Sequence, residues 1–264
     1  MLINSYRFGY TVIDASASAY IAAVESADGQ ALENATKAAL DAFVIGCKAD
    51  GIWTAIKASC ILAGARTLAG ALVPLVGTAP TNVGPFVTGD YSRKTGLVGD
   101  GSGKYLNTNT AHNAALQNDV HLSVYSQNNT VLNNGASPVN FYAGVVSGSS
   151  TAMGGGGGNP NTWVAHDVGS SVPSFNNQTS TGFFAVQRNN SSSYNYRIAS
   201  ATTSVTRSAS ATAPGSGNVT IFARSGSFPT TARLAFYSFG ESLDLALLDA
   251  RVTTLITAFS TAIP

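Results

Sequence analysis

At 264 residues, 44% apolar and only 10% charged, the chain has the length and apolar content to bury a substantial core and is too poor in charge to be an intrinsically disordered segment. Fourteen Lys+Arg against thirteen Asp+Glu give a formal net charge of +1, which leaves no cationic excess for nucleic acid or an anionic membrane surface. Polarity comes instead from Ser, Thr and Asn, roughly 29% of the residues, a hydroxyl and amide surface typical of extracellular and particle proteins.

Residues 1–10 lack a basic segment followed by an apolar run, so no secretory signal is expected. The most apolar stretch, 52–76, is broken by Lys57, Arg66 and Pro74 and falls short of the roughly 18 apolar residues of a membrane span. Helices are predicted at 17–27 and 30–49; Leu32, Ala35, Ala39, Phe43 and Cys47 form one stripe, and Asp28 is placed as N-cap of the second. A third apolar segment, 52–62, completes a small helical bundle. Cys47 and Cys60 are expected as buried thiols, with a disulfide as the other reading. The composition changes near Pro80: residues 1–80 read as a helical docking or oligomerisation region, 81–240 as a β-domain, and 241–264 as a closing helix.

In the β-region, strands are predicted at 105–107, 119–127, 139–147, 162–167, 182–188, 194–200, 218–224 and 232–239. Eight such strands without intervening helices require closure, and a jelly-roll β-sandwich is the predicted fold class, mainly β overall. Residues 99–104 (Gly-Asp-Gly-Ser-Gly-Lys) superficially suggest a phosphate loop, but no Ser or Thr follows the Lys and no helix begins there, so a turn is expected. The run 154–158, five consecutive glycines, is expected at a loop tip. Glu241 opens the last helix, with Ser242 as its cap and Leu245, Leu248, Val252, Leu255, Ile256 and Phe259 as its apolar stripe.

Chemistry is sparse. Between Tyr105 and Thr231 the carboxylates are Asp119 and Asp167, and the histidines of the chain are His112, His121 and His166. Glycoside hydrolysis needs two spaced carboxyl groups and a calcium site several hard oxygens, so neither activity nor metal is expected. No catalytic residue, metal or cofactor is assigned, and Asp119 with His121 is read as a polar pair on a strand surface. A sugar can stack on an aromatic face beside amide donors, and 188–197 supplies those types densely: Arg188, Asn190, Tyr194 and Tyr196 are the candidate glycan residues, with Trp163 beside them. The competing reading places Tyr194 and Tyr196 on one strand face as packing residues.

Three segments carry a resemblance. Asp90-Tyr91-Ser92-Arg93-Lys94-Thr95-Gly96-Leu97-Val98-Gly99-Asp100-Gly101-Ser102-Gly103-Lys104-Tyr105-Leu106 is the first; Cys47-Lys48-Ala49-Asp50-Gly51-Ile52-Trp53, with Lys57-Ala58-Ser59-Cys60-Ile61-Leu62 and on to Leu68, is the second; and Arg233-Leu234-Ala235-Phe236-Tyr237-Ser238-Phe239-Gly240-Glu241-Ser242-Leu243-Asp244 is the third. They resemble a group of cyanophage-like bacteriophage proteins whose β-domain is similar to the concanavalin A and laminin-G jelly roll. The resemblance implies a non-enzymatic virion structural protein, a tail fibre, spike or adhesin displaying a lectin-like domain toward host glycans. Capsid decoration or a self-assembling subunit without ligand is the alternative it leaves open, and a polysaccharide-degrading enzyme a further one. Implied partners are other virion proteins and symmetry mates through the helical region, in a homo-oligomer, with no nucleic acid and no membrane insertion.

Overall fold

A computed structural model describes residues 13–128, 140–156, 159–167, 181–198 and 200–264. Two helices come first, α1 (Ala15–Asp28) and α2 (Asn34–Ala49). The α1 cap is Asp14, whose carboxylate accepts from the Ser16 and Ala17 amides, and Gly29 at φ 64° ends the helix in the left-handed conformation that glycine adopts freely. Asp28 does not cap α2. Its carboxylate instead takes the Arg66 and Thr67 amides and the Thr67 hydroxyl, pinning the next segment beneath α1.

The predicted third helix is mostly a strand. After a single 3-10 turn at Trp53–Ala55 the chain extends as β1 (Ile56–Ile61), antiparallel to β14 (Arg233–Gly240). Every residue of β1 except Lys57 is buried, and pairing with a distant strand overrides the helical spacing of Trp53, Ile56 and Cys60. The short α3 (Leu68–Ala71) follows, then β2 (Thr81–Val83), β3 (Tyr91–Ser92), β4 (Gly96–Val98), β5 (Tyr105–Ala111), β6 (Val120–Ser126), β7 (Asn140–Ser147), β8 (Ser149–Gly156), β9 (Asn159–Asp167), β10 (Gly182–Arg188), β11 (Ser193–Ile198), β12 (Ala201–Thr206) and β13 (Asn218–Ile221), with α4 (Leu245–Ala262) after β14.

The strands form the mainly-β sandwich that their pattern predicts. One sheet runs β12-β11-β10-β6-β14-β4-β3 with β1 also on β14; the other runs β2-β5-β13-β7-β8-β9, and every pairing between named strands is antiparallel. Between them lies a core that includes Leu122, Val124, Tyr142, Val164, Phe184, Val186, Tyr194 and Tyr237. The first sheet is covered on its other face too. There Phe183, Ala185 and Phe236 pack with Phe43, Cys47, Leu248, Val252 and Phe259 of the helices in a second core. Burial on both faces explains why β10 is a near-continuous apolar run instead of an alternating one.

The last helix is capped by Asp244, which accepts from the Ala246 and Leu247 amides, while Ser242 binds Asp119. Its 18 residues and mean hydropathy of 1.2 also suit a membrane span, yet its stripe Leu248, Val252, Leu255 and Phe259 is buried against sheet and helices. Residues 99–104 form a turn, as expected, closed by the Asp100 carboxylate on the Ser102, Gly103 and Lys104 amides. The glycine run does not behave as a loop tip throughout: Gly154 continues β8, where a β-carbon would collide with the Asn140 carbonyl and the Phe141 ring, and Gly157 and Gly158 lie outside the described residues. Cys47 and Cys60 are free, buried thiols in different cores, and burial pushes both up to about 12.

Candidate functional site

The 188–197 segment is a hairpin, and strand parity decides what it presents. Val186 pairs with Tyr196 and Gln187 with Asn195, so Arg188, Tyr194 and Tyr196 point into the sandwich while Gln187, Asn195 and Arg197 point toward the helical side. Arg188 is fully buried. Its Nε donates to the Ala165 carbonyl at 2.7 Å and its Nη1 to the Asn190, Ser193 and Arg207 carbonyls at 3.3, 3.1 and 3.0 Å, and the guanidinium stands 5.4 Å from the Tyr194 ring centre. Desolvation lowers its pKa from the ordinary arginine value, opposed by the charge of Asp167. Asn190 organises the turn: its Oδ1 accepts from the Ser192 and Ser193 amides at 2.9 and 2.8 Å.

These positions correct the expected sugar platform. Tyr194 and Tyr196 are core residues with no ring face toward solvent, Arg188 is fully buried with its Nε and Nη1 on main-chain carbonyls, and Asn190 is committed to its turn. Trp163 lies on β9, and its side chain is outside the described residues.

On the outward face of the same hairpin, the structure places a cleft of about 420 Å³ that sequence reasoning did not single out. It lies between the end of β10, the start of β12 and the segment entering α4, and is lined by Gln187, Asn189, Thr202, Ser242, Asp244 and Leu245 among others. Gln187 is 8% exposed, and its Oε1 accepts from the Leu243 amide at 3.2 Å. Asn189 Oδ1 accepts from Asn190 Nδ2 at 2.9 Å, and Thr202 Oγ1 from Arg197 Nη1 at 2.9 Å. Ser242 Oγ donates to Asp119 Oδ1 at 2.6 Å. The usable signal was parity: polar residues on the outward positions of a strand that runs into a helix start.

The histidines are interior. His121 is not on a strand surface with Asp119; it is buried where the chain enters α4, its ring bonded to the Glu241 carbonyl and to Ser238 Oγ. His112 and His166 meet edge to face, with ring centres 4.7 Å apart. His112 reaches the Ser147 carbonyl and Thr151 Oγ1, and His166 Nδ1 the Gln117 carbonyl, while buried His166 Nε2 has no partner among the described residues. Burial lowers all three to about 4. His166 has φ 48° at a break in the β8–β9 register, so both it and its neighbour Asp167 face the interior.

The thirteen carboxylates all fall within the described residues, and each has a structural partner. Arg251 grips Asp50 with two bonds of 2.7 and 2.8 Å, and Arg93 grips Glu33 with two of 3.1 and 2.8 Å. Lys48, Lys37, Lys104, Arg207, Lys57 and Arg197 pair with Asp14, Glu25, Asp90, Asp167, Glu241 and Asp249. Asp28, Asp41, Asp100, Asp119 and Asp244 accept from main-chain amides. Arginine holds Glu33 well below the usual carboxylate range, at about 2. Among the described residues no three His, Cys, Asp or Glu side chains are grouped to hold a metal ion.

These features define a class, a two-sheet antiparallel β-sandwich with a helical layer on one face. No protein-family model and no curated protein sequence matches the chain. Among solved structures it is similar to the binding domain of botulinum neurotoxin serotype D, at 13% identity over 76% of this chain and 51% of that one, with a TM-score of 0.42. Trypanosoma rangeli sialidase in complex with 2,3-difluorosialic acid is 11% identical over 90% and 38% of the two chains, with a TM-score of 0.44. Domain 4 of AbnA, a GH43 extracellular arabinanase from Geobacillus stearothermophilus, in complex with arabinotriose, is 10% identical over 58% and 79%, with a TM-score of 0.31. The chain thus spans about half the length of the first structure and 38% of the second.

Proposed function

We propose that the chain is a non-enzymatic structural protein of a bacteriophage particle, of the tail-fibre, spike or adhesin kind, whose sandwich is displayed outward and touches glycans of the host surface. The observation that carries the non-enzymatic part is the commitment of the ionisable groups. All thirteen carboxylates hold loops, caps or ion pairs, and the three histidines are buried. General acid–base catalysis needs such a group within reach of substrate at a pKa near the working pH, and histidines at about 4 behind main-chain carbonyls do not supply one. The particle assignment draws on the resemblance of the three sequence segments, which the fold brings together: β1 pairs with β14, and β14 with β4.

Incubating the chain with host capsular polysaccharide tests the first part: no new reducing or unsaturated ends are expected. Turnover abolished by Asp119→Asn would overturn the reading. Labelling of intact particles with an antibody against the chain tests the second, with external density expected and its absence decisive against display.

A further inference from the structure

We propose that the cleft between β10, β12 and the start of α4 is a saccharide subsite selective for uncharged sugars, with the Gln187 and Asn189 amides as its directing donors. The inference rests on the glycan-touching part of the proposed function and assigns it a place. A sugar hydroxyl both donates and accepts, so a diol is recognised by fixed donors set beside fixed acceptors. Gln187 is the strongest pointer. Only an amide oxygen can accept from the Leu243 N–H, which fixes the orientation of this nearly buried amide and leaves Nε2 as a donor with no protein partner among the described residues. Asn189 repeats the device, its oxygen held by Asn190 and its nitrogen left over. Thr202 accepts from Arg197, so its hydroxyl proton is available; Ser242 donates to Asp119, so its lone pairs are.

Asp244 adds an acceptor: one carboxylate oxygen caps α4 and the other remains. Leu245 beside it gives the C–H face of a ring an apolar contact. The size, about 420 Å³, lies within the roughly 300–1,000 Å³ of small-molecule sites. Charge sets the selectivity. Asp244 is the charged side chain of the lining, and the neighbouring Arg197 is neutralised by Asp249 at 2.8 Å, so a sialic acid or uronate would meet an unpaired like charge.

The test uses the intact chain on an array of neutral oligosaccharides built on glucose, galactose, mannose and N-acetylglucosamine, alongside sialyllactose and a glucuronate oligomer, followed by titration of the best neutral ligand. Gln187→Glu keeps the oxygen that accepts from Leu243 and removes the donor; Asn189→Ala changes an exposed turn residue. Each is expected to weaken neutral-sugar binding about tenfold, the size of one lost directed hydrogen bond, with Asn189→Ala leaving the urea unfolding midpoint unchanged. Neutral-sugar binding indifferent to both variants, or a preference for the acidic sugars, overturns the cleft assignment and leaves glycan attachment standing. Binding to no glycan on the array removes the attachment reading and this inference with it.

Discussion

Arg188 shows how a single residue changes meaning between sequence and fold. In a polar, aromatic-rich hairpin it reads as a ligand contact; in the structure it is the clasp that gathers the Ala165, Asn190, Ser193 and Arg207 carbonyls. Removing it strands the buried Ala165 carbonyl, loosens the three half-buried ones and empties a buried side-chain volume, so Arg188→Ala is expected to lower unfolding stability by about 2–3 kcal/mol in urea titration, with a folded fraction that still binds any glycan normally. Tyr194 supplies the opposite case. Among the described residues its buried hydroxyl has no hydrogen-bond partner, and desolvation pushes its pKa above the ordinary tyrosine value. Tyr194→Phe is therefore expected to leave stability unchanged or raise it by up to about 1 kcal/mol, since the unmade bond disappears with the oxygen. A loss of more than that would mean the hydroxyl is satisfied in solution. The sequence makes the composition of this hairpin plain, and the shared face of Tyr194 and Tyr196 follows from period two. It does not say which face is inside, because that depends on a helical layer contributed by residues far away in the chain.

At the scale of elements, the same distinction separates what was legible from what was not. Strands with large alternating or continuous apolar residues, such as β6 and β10, announce themselves. Six do not: β1 carries its apolar residues at helical spacing, β2, β3 and β4 are only two or three residues long, β8 is built mostly of Ser and Gly with single Thr, Ala and Met residues, and β12 of Ala, Thr, Ser and Val. Each exists because of a partner strand. Caps differ for a related reason: Asp28 closes α1 and Ser242 precedes α4 by three residues, and both side chains are drawn into long-range bonds, with 66–67 and with Asp119. Among the strand ends, the His112–His166 contact gives a pH dependence whose sign is fixed. Their folded pKa values of about 4 lie below the unfolded value near 6.5, so between those limits the unfolded chain binds more protons. Stability is complete above about pH 6.5 and is lost as pH falls toward 4, with a slope of up to about 1.4 kcal/mol per pH unit for each histidine, His121 included. Burial first and then Arg188 oppose protonation of His166, while the Gln117 carbonyl and Asp119 favour it; burial and His166 oppose protonation of His112. His166→Asn suits the left-handed backbone, retains a donor for the Gln117 carbonyl and removes one titrating group. Urea midpoints between pH 7.5 and 5 are expected to fall less steeply in this variant; an unchanged slope would show that His166 is not protonated on unfolding.

For the molecule as a whole, the sheet that contains β10 and β14 is shared: one face closes the sandwich core and the other closes the helical core. Neither core is complete without that sheet, and α4 is tied to α2 by Arg251–Asp50 and to β11 by Arg197–Asp249. Shared burial of this kind predicts one cooperative unit instead of a helical region that detaches by itself. The two cysteines are placed to decide it, with Cys47 in the helical core and Cys60 in the sandwich. Burial raises both thiols to about 12, so at pH 8 the reactive thiolate is scarce until the surrounding core opens. In Cys60→Ala and Cys47→Ala variants of matched stability, each with a single remaining thiol, labelling by a thiol reagent in increasing sub-denaturing urea is expected to give opening free energies that converge on the global value with the same urea dependence. Labelling of Cys47 at urea concentrations that leave Cys60 protected would show that the helices separate from an intact sandwich, and the shared sheet would then be a contact surface and not the spine of a single folding unit.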